Sequence, residues 1–285
     1  MFHSLYDSIQ IHKALQHRSV IYICIMRIQS YDILPALKPY VKLICTMECD
    51  EDADTSCIRV LPDTCAEIFL NYTIAPVAII NEELYKRSIA TFRMNKPANV
   101  QMRKGTGVIA ICFHPGMAYR FMDVPMHQLA NKTIGLAELW GSLAAELEDK
   151  LAMLSNNEAR VKLLQSYLVK KMDYGNYDMK IACCLQQVRF SGGMIPIEKP
   201  AADLGISQRH LSRKFQECVG LSTKEYQRVF RFIESLGRLK RHSAKSLTEV
   251  AYESGYYDQA HFIRDYKEYT GYTPRQVVLA RHILY

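Results

Sequence analysis

The chain has 285 residues, of which 49% are hydrophobic and 23% are charged, and this composition is ordinary for a globular protein of one large or two modest domains. No apolar run approaches the roughly 20 residues that a helix needs to span a bilayer, so we expect no membrane partner. The 9 cysteines lack the dense, even framework of a small secreted domain, and a cytoplasmic location is therefore predicted.

Residues 20 to about 125 predict strands. VIYICIM (Val20–Met26) is a short apolar run followed at once by Arg27, and it predicts a buried strand rather than a signal peptide. Runs rich in β-branched and aromatic residues follow, separated by Pro, Asn, Gly and Asp: SCIRVLP, AEIFLNY, PVAII and GVIAICF. This spacing favours an antiparallel barrel or sandwich. We therefore expect residues 1–135 to form a β-rich sensor or effector domain.

The residues of this region do not predict a metal site or an enzyme. Cys45, Cys49, Cys57 and Cys65 include no CxxC pair and have no nearby His, so zinc spacing is absent and small buried side chains are expected. A metal-dependent cupin-like enzyme would need His-x-His, and only His114 falls within the candidate strands. No Ser/His/Asp arrangement, phosphate loop or HExxH is present, so no cofactor and no catalytic residue are predicted.

Helical periodicity begins near residue 136, and residues 136–190 predict a helical connector. The first helix lies in LAELWGSLAAELEDKLAMLS, and the second runs from about Glu158 to Met172. Their apolar stripes are Leu143, Leu147, Leu151 and Leu154, and then Val161, Leu164 and Leu168. An amphipathic stripe does not name its partner, so these leucines fit either packing on their own domain or a homodimer interface.

A predicted linker, FSGGMIP (Phe190–Pro196), separates these helices from a basic C-terminal region. The chain carries a formal net charge of +7. Residues 195–285 hold 15 Lys and Arg against 10 Asp and Glu, and the preceding 194 residues hold 21 against 19. A basic excess on a helical segment suggests a polyanionic partner.

One helical pattern occurs twice in this region, in SQRHLSRKFQECVGLSTKEY and in DQAHFIRDYKEYTGYTPRQV. Each copy has an Ala four residues before a Gly, then an N-cap residue, two apolar residues four apart and a closing Gly. The paired positions are Ala201/Ala251, Gly205/Gly255, Ser207/Asp258, Leu211/Phe262, Phe215/Tyr266 and Gly220/Gly271. A small Ala lets two helices cross closely and Gly allows the tight turn, so each copy predicts a helix-turn-helix. The repetition indicates an internal duplication.

A long helix is predicted between the copies, in KEYQRVFRFIESLGRLKRH (Lys224–His242). At 1.5 Å per residue it spans about 28 Å. Major-groove faces recur about every 34 Å along B-DNA, so this helix can place two recognition helices in adjacent turns of the major groove. We predict a two-domain α+β protein, with an N-terminal antiparallel β-barrel or cupin-like domain plus helices. The C-terminal all-α domain covers 195–285, with motifs at about 199–218 and 247–269 and a linker helix at about 223–242.

This region resembles the DNA-binding domain of AraC/XylS-type transcription regulators. The residues that carry the resemblance are SQRHLSRKF, GLSTKEY, LTEVAYESGY and HFIRDYKEYTGYTP, over about 90 residues. Upstream, PYV at 39–41, LPD at 61–63 and LWG at 139–141 resemble one subgroup with an N-terminal β domain. The resemblance implies a cytoplasmic activator or repressor that binds promoter DNA. It also implies a small-molecule effector or dimerisation through the β domain, and RNA polymerase as a partner of an activator.

The outward residues of the two recognition helices are the predicted DNA contacts. Arg can bond two acceptors of guanine, Gln can pair with adenine, and a small apolar side chain can touch a thymine methyl group. The resemblance places base contacts at Arg209, Ser212, Arg213, Gln259, Ala260 and Arg264. Gln208 and His261 lie on the same helices, and phosphate contacts are predicted for Lys214, Lys240 and Arg241.

Pro200 departs from the pattern, because it stands just before Ala201 where the family has an apolar helix residue. Proline is tolerated only in a first helical turn, so this helix is expected to be short and to start near Lys199 or Pro200. The departure leaves a second hypothesis open: a small-molecule-binding or enzymatic β-barrel protein whose helical tail no longer binds DNA.

Overall fold

The structure is a computed structural model that describes residues 20–23, 26–50, 58–173, 178–196, 198–241, 246–280 and 283–284. The strands, in chain order, are β1 (Val20–Ile23), β2 (Met26–Ser30), β3 (Val41–Cys49), β4 (Ile58–Val60), β5 (Glu67–Asn71), β6 (Ala78–Ile80), β7 (Glu83–Tyr85), β8 (Ile89–Thr91), β9 (Ala98–Gln101), β10 (Gly107–Phe113), β11 (Thr133–Gly135) and β12 (Ile283–Leu284). The helices are α1 (Leu136–Trp140), α2 (Ser142–Met153), α3 (Asn157–Lys171), α4 (Met179–Phe190), α5 (Glu198–Asp203), α6 (Gln208–Cys218), α7 (Thr223–Arg241), α8 (Leu247–Glu253), α9 (Gln259–Thr270) and α10 (Pro274–Leu279).

The N-terminal strands form two sheets. In the described residues the larger sheet has the order β1-β2-β3-β10-β5-β8-β11, and the smaller has the order β12-β4-β9-β6-β7. Neighbouring strands pair antiparallel except β12 with β4, which pair in parallel. The predicted antiparallel β domain followed by a helical C-terminal domain is therefore confirmed.

The central strand β10 is buried on both faces, which explains why its sequence GVIAICF shows no polar alternation. Val108 and Ala110 point into an apolar layer between the two sheets, together with Ile58 of the smaller sheet. Ile109 and Ile111 point the other way, into a core shared with the helices. Both faces of the larger sheet are thus covered.

The layer between the sheets also holds a buried ion pair. Arg93 donates to the carboxylate of Glu67, and the two side chains are 9% and 0% exposed. The hydroxyl of Thr91 donates to the same Glu67 oxygen at 3.1 Å. Burial raises the pKa of Glu67, with the nearby Asp63 acting in the same direction, and the Arg93 guanidinium only partly offsets the rise. The ion pair therefore lies in surroundings that are costly for charge.

The side chains of Cys45, Cys49 and Cys65 are buried, as the sequence predicted, and Cys57 lies outside the described residues. Desolvation of the Cys45 side chain raises the pKa of its thiol, and Glu67 raises it further. Among the residues that the structure describes, no group of three or more His, Cys, Asp or Glu side chains could hold a metal ion.

The predicted connector helices pack on the chain's own sheet. The first expected helix is broken at Gly141, whose φ of 58° ends α1 and starts α2. The inward residues of α2 and α3, at most 3% exposed, lie in one core with the larger sheet: Leu147, Leu151, Val161, Leu164 and Leu168. The structure therefore shows intramolecular packing for these five residues, whereas Leu143 and Leu154 of the predicted stripe are half-buried.

The segment Phe190–Pro196, expected to be a linker, contains a tight turn packed on α7. Gly193 has a φ of 78°, and its amide donates to the carbonyl of Val188 at 2.9 Å. A Cβ atom on Gly193 would lie 2.7 Å from the carbonyl oxygen of Gln227 and 3.0 Å from the amide nitrogen of Arg231. Helix α4, which precedes this turn and which sequence patterning missed, packs against α6 and α7.

The N-terminal and C-terminal regions are joined at several points. The guanidinium of Arg59 on β4 donates to the Thr270 carbonyl at the end of α9, at 2.7 Å, and lies 5.7 Å from the Tyr272 ring. The Tyr226 side chain on α7 lies beside Thr64. Strand β12 extends the β4 edge, with Ile283 opposite Arg59. Both helix-turn-helix halves therefore rest on the N-terminal region.

Candidate nucleic-acid interface

The first predicted helix-turn-helix forms from α5, a turn and α6. Ala201 is 2% exposed where the helices cross, and Gly205 in the turn has a φ of 62°. The hydroxyl of Ser207 accepts the amide N–H of His210 at 3.2 Å, which caps α6 as predicted. Helix α5 begins at Glu198, so Pro200 falls in its first turn, where proline is tolerated. The short first helix is confirmed.

The second copy repeats this geometry in α8, a turn and α9. Ala251 is fully buried, and Gly255 has a φ of 75°. The carboxylate of Asp258 accepts the amide N–H of His261 at 2.7 Å and so caps α9. Ser246 and Glu249 form a capping box that starts α8. The predicted N-caps, turn glycines and crossing alanines are thus present in both copies.

Helix α7 carries the core of both copies. The Phe215 ring of α6 lies 5.5 Å from the Tyr226 ring of α7. About one and a half turns further along, the same helix reaches α9, where the Tyr266 ring lies 5.0 Å from the Phe232 ring. The four predicted inward positions, Leu211, Phe215, Phe262 and Tyr266, are each at most 1% exposed.

The two recognition helices end as predicted. Gly220 and Gly271 follow α6 and α9 with φ of 93° and 79°. A left-handed residue at this position stops a helix and favours glycine. The closing glycines of the repeated pattern therefore have the conformation that the sequence implied.

The outward face of α6 is polar and open to solvent. Gln208, Arg209 and Arg213 are exposed and Ser212 is half-buried. This face lines an open concavity of about 580 Å³ together with Ser207, His210 and Gln216. The Arg213 guanidinium lies 4.0 Å from the Glu217 carboxylate, one turn along the helix. Because this ion pair is exposed, it restrains the Arg213 side chain only weakly. The predicted base contacts of the first copy therefore share one accessible surface.

The outward face of α9 is smaller. Ala260 and Arg264 are exposed, and Gln259 is half-buried with its amide oxygen accepting from Thr248 at 3.1 Å. The His261 imidazole is turned inward: its Nε2 lies 3.8 Å from Asp265 and its ring lies 5.3 Å from the Tyr256 ring. His261 thus lies against the core of the motif, whereas Arg264 lies on the accessible face.

A partly buried charge network that sequence reasoning missed joins α9 to α7. Arg228 donates from Nε and Nη2 to Asp265 at 3.0 and 2.6 Å, and from Nη1 to Glu268 at 3.0 Å. Burial opposes the charge of Arg228, but the hydrogen bonds to Glu268 and Asp265 outweigh it and raise its pKa. The available sequence signal was Asp265 itself, a carboxylate on the buried side of α9 beside Phe262 and Tyr266.

The three predicted phosphate contacts occupy different surroundings. Lys240 and Arg241 are exposed at the C-terminal end of α7. Lys214 is paired with Asp178, the N-cap residue of α4. The structure therefore brings Lys214 to the edge of the α6 face and gives its ammonium group a carboxylate partner.

Two family profiles match the chain. A helix-turn-helix domain matches residues 201–279, and a domain of unknown function (DUF6597) matches residues 30–135. In the described part of the chain, no helix has the length and apolar character needed to cross a membrane.

The curated relatives are similar over the C-terminal region. The chain is 32% identical over 80 residues to the HTH-type transcriptional activator RhaS of Salmonella arizonae, and equally to that of Salmonella newport. The match covers 28% of this chain and 28% of each relative, so the chain spans little more than a quarter of the length of these relatives.

The solved structures that are similar to this chain include an isolated C-terminal domain and a longer chain. The C-terminal domain of AraT, a response regulator from Geobacillus stearothermophilus, is 21% identical with a TM-score of 0.34, covering 36% of this chain and 87% of that one. ToxT from Vibrio cholerae is 14% identical with a TM-score of 0.42, covering 83% of this chain and 96% of that one. The two capped motifs and the matching profile over residues 201–279 show that the C-terminal region of this chain is a helix-turn-helix domain, similar to that of HTH-type transcriptional activators.

Proposed function

We propose that the protein is a sequence-specific DNA-binding transcription regulator whose two helix-turn-helix motifs read adjacent major-groove segments. The single observation that carries this proposal is the pair of capped recognition helices, α6 and α9, packed on one continuous helix α7. At 19 residues, α7 is about 28 Å long. This length is suited to two recognition helices that lie about one turn of B-DNA apart.

The side chains proposed to read bases are those on the accessible faces of the recognition helices. Arg209 and Arg213 on α6, and Arg264 on α9, are exposed and suited to guanine. The two faces are completed by Gln208, Ser212, Gln259 and Ala260.

Other charged residues are proposed to have different roles. Lys240 and Arg241 are proposed phosphate contacts, which orient a protein on DNA without specifying its sequence. For His261 we propose a structural role beside Asp265 in place of a DNA contact.

We propose that the N-terminal region senses a small molecule and passes its state to the DNA-binding region. The contacts from Arg59 to Thr270 and from Thr64 to Tyr226 support this, because they touch both helix-turn-helix halves. The RhaS relatives are named transcriptional activators, so we propose activation, with RNA polymerase as a partner, in the cytoplasm. Any homodimer is proposed to use a surface other than the buried leucine stripes.

The alternative of a β-barrel protein with a degenerate helical tail loses its main support. That support was Pro200, which lies in the first turn of α5 and leaves the first helix-turn-helix complete. Both copies keep their caps, turns and cores, so nothing in the described residues marks the tail as degenerate.

Footprinting on the promoter region next to the coding sequence tests the proposed function. We expect protection of two successive major grooves on one face of the DNA. Binding should weaken steeply between about 50 and 200 mM salt, because Lys and Arg release condensed counterions. No protection at low salt would contradict the proposal. A thermal-shift screen of the full chain against metabolites then tests whether an effector stabilises the protein.

A further inference from the structure

An ion pair joins the first recognition helix to the start of α4. The Lys214 ammonium is bonded to Oδ2 of Asp178. The other oxygen, Oδ1, accepts the backbone amides of Lys180 at 3.0 Å and Ile181 at 3.2 Å. One carboxylate oxygen therefore caps α4 while the other holds the lysine.

Both charges are stabilised by this arrangement. Burial of Asp178 opposes its ionisation, but the bonds from Lys214 and from the amide of Ile181 outweigh burial and lower its pKa. The hydrogen bond to Asp178 raises the pKa of Lys214. The Asp178 and Lys214 side chains are 15% and 32% exposed, so the pair lies in a seam between α4 and α6 rather than out in solvent.

Lys214 is placed where a phosphate contact would be expected. It follows Ser212 and Arg213, which line the concavity on the outward face of α6. A helix about 10–12 Å wide fills a major groove about 12 Å wide, so side chains on the flank of a recognition helix face the phosphate walls. Carboxylate and phosphate both accept charge-assisted hydrogen bonds from an ammonium group. The Asp178 carboxylate therefore binds Lys214 in the way that a DNA phosphate would.

The Asp178 end of the pair is attached to the N-terminal region. The backbone amide of Asp178 donates to the Tyr119 hydroxyl at 3.1 Å. Tyr119 belongs to a 3-10 turn, Ala118–Phe121, which packs against α6. Three parts of the chain therefore meet at Asp178: the N-terminal region, the start of α4 and the recognition helix.

We propose that Asp178 is an intramolecular competitor for DNA phosphate, which holds Lys214 in an autoinhibitory contact until DNA displaces it. This inference rests on the proposed DNA-binding function. Each protein–DNA complex then gains one phosphate contact at the expense of the Lys214–Asp178 pair.

The test is Asp178→Asn in the full chain, measured by fluorescence anisotropy on the footprinted promoter fragment between about 50 and 200 mM KCl. Asn is as good an N-cap as Asp, so α4 keeps its cap while the charge is lost. We expect DNA binding to tighten about three- to tenfold, with an unchanged slope of log affinity against log salt, because Lys214 contacts one phosphate in both complexes. Asp178→Ser, another good N-cap, should give the same changes if the Asn variant folds poorly.

A background without the lysine separates release of Lys214 from general loss of negative charge. Lys214→Gln itself should make the slope shallower by about 0.9, because one phosphate contact is lost. In that background, we expect Asp178→Asn to leave the affinity unchanged. Equal tightening in both backgrounds, or a slope that Lys214→Gln does not change, would overturn the inference. Asp203→Asn is the matched control, since Asp203 pairs with Lys199 on exposed α5 and should not alter the affinity. Failure of the unmodified chain to bind DNA would instead contradict the proposed function.

Discussion

The Arg59 guanidinium, on strand β4, donates from Nε to the Thr270 carbonyl at the end of α9, at 2.7 Å. Its Nη1 donates to the Asn99 side chain at 3.0 Å, and the guanidinium lies 5.7 Å from the Tyr272 ring. The N-terminal region and the second recognition helix thus share a polar contact, through which a change in one can alter the other.

Arg59→Met removes this contact. Loss of the hydrogen bond to Thr270 should lower the free energy of unfolding by about 0.5–1.5 kcal/mol. The variant should also open the interface, which limited proteolysis of the full chain would detect as faster cleavage. Lys150→Met is the control, because Lys150 pairs with Glu146 at an exposed site on α2. If both variants behave alike, the Arg59 bond does not join the two regions.

Arg93→Met should be among the most damaging single changes in the N-terminal region. It leaves the fully buried Glu67 carboxylate without its partner, and breaking a buried pair in this way costs about 3–5 kcal/mol. The fluorescence of Trp140, which is buried in the neighbouring core, reports the unfolding in urea. The double variant Glu67→Gln, Arg93→Met should recover part of the loss. A single variant within about 1 kcal/mol of the parent would contradict the role of the pair.

Gly193→Ala should destabilise the contact between the turn at 190–196 and α7. The new methyl group would lie 2.7 Å from the Gln227 carbonyl oxygen, and the φ of 78° disfavours any residue with a Cβ. Gly192→Ala provides a matched control, because Gly192 also has a positive φ, 61°, but its nearest neighbour would lie 3.7 Å away. Thermal unfolding should place Gly193→Ala below Gly192→Ala. Equal Tm values, or the reverse order, would show that the approach to α7 does not destabilise Gly193→Ala.

Glu82→Gly should stabilise the protein. Asn81 and Glu82 form the two-residue turn between β6 and β7, with φ of 48° and 71°, and such turns favour Asn-Gly. Relief of the left-handed conformation is worth about 1 kcal/mol, partly offset by the greater freedom of glycine in the unfolded chain. We expect a rise in Tm of a few degrees. Glu83→Gly, in strand β7, should lower Tm, and a fall for both variants would refute the assigned turn.

The helix-turn-helix region could be predicted closely because its signals are local. Ser207 and Asp258 cap the helices that follow them, and Gly220 and Gly271 end those helices with positive φ. The inward apolar positions also follow from helical spacing alone. Each of these features depends on residues within one or two turns of the chain, so sequence patterning is sufficient to find them.

What patterning missed depends on contacts between distant parts of the chain. Lys214 is expected on an outward face, yet Asp178, 36 residues earlier, binds it. The pairing of β12 with β4 joins the end of the chain to residue 59 and leaves no local signal. The break at Gly141 was hidden because leucines continue in helical register on both sides of it.

The most direct test of whether α6 and α9 both recognise bases is to measure the DNA affinity of Arg213→Ala and Arg264→Ala. The DNA set consists of single-base-pair variants of the footprinted site. Each substitution should lose about 1–3 kcal/mol of discrimination at its own base position. The two positions should lie about one helical turn apart, because α7 holds α6 and α9 on one rod. If both variants weaken binding equally on every sequence, or affect the same base position, the two helices do not read adjacent major grooves.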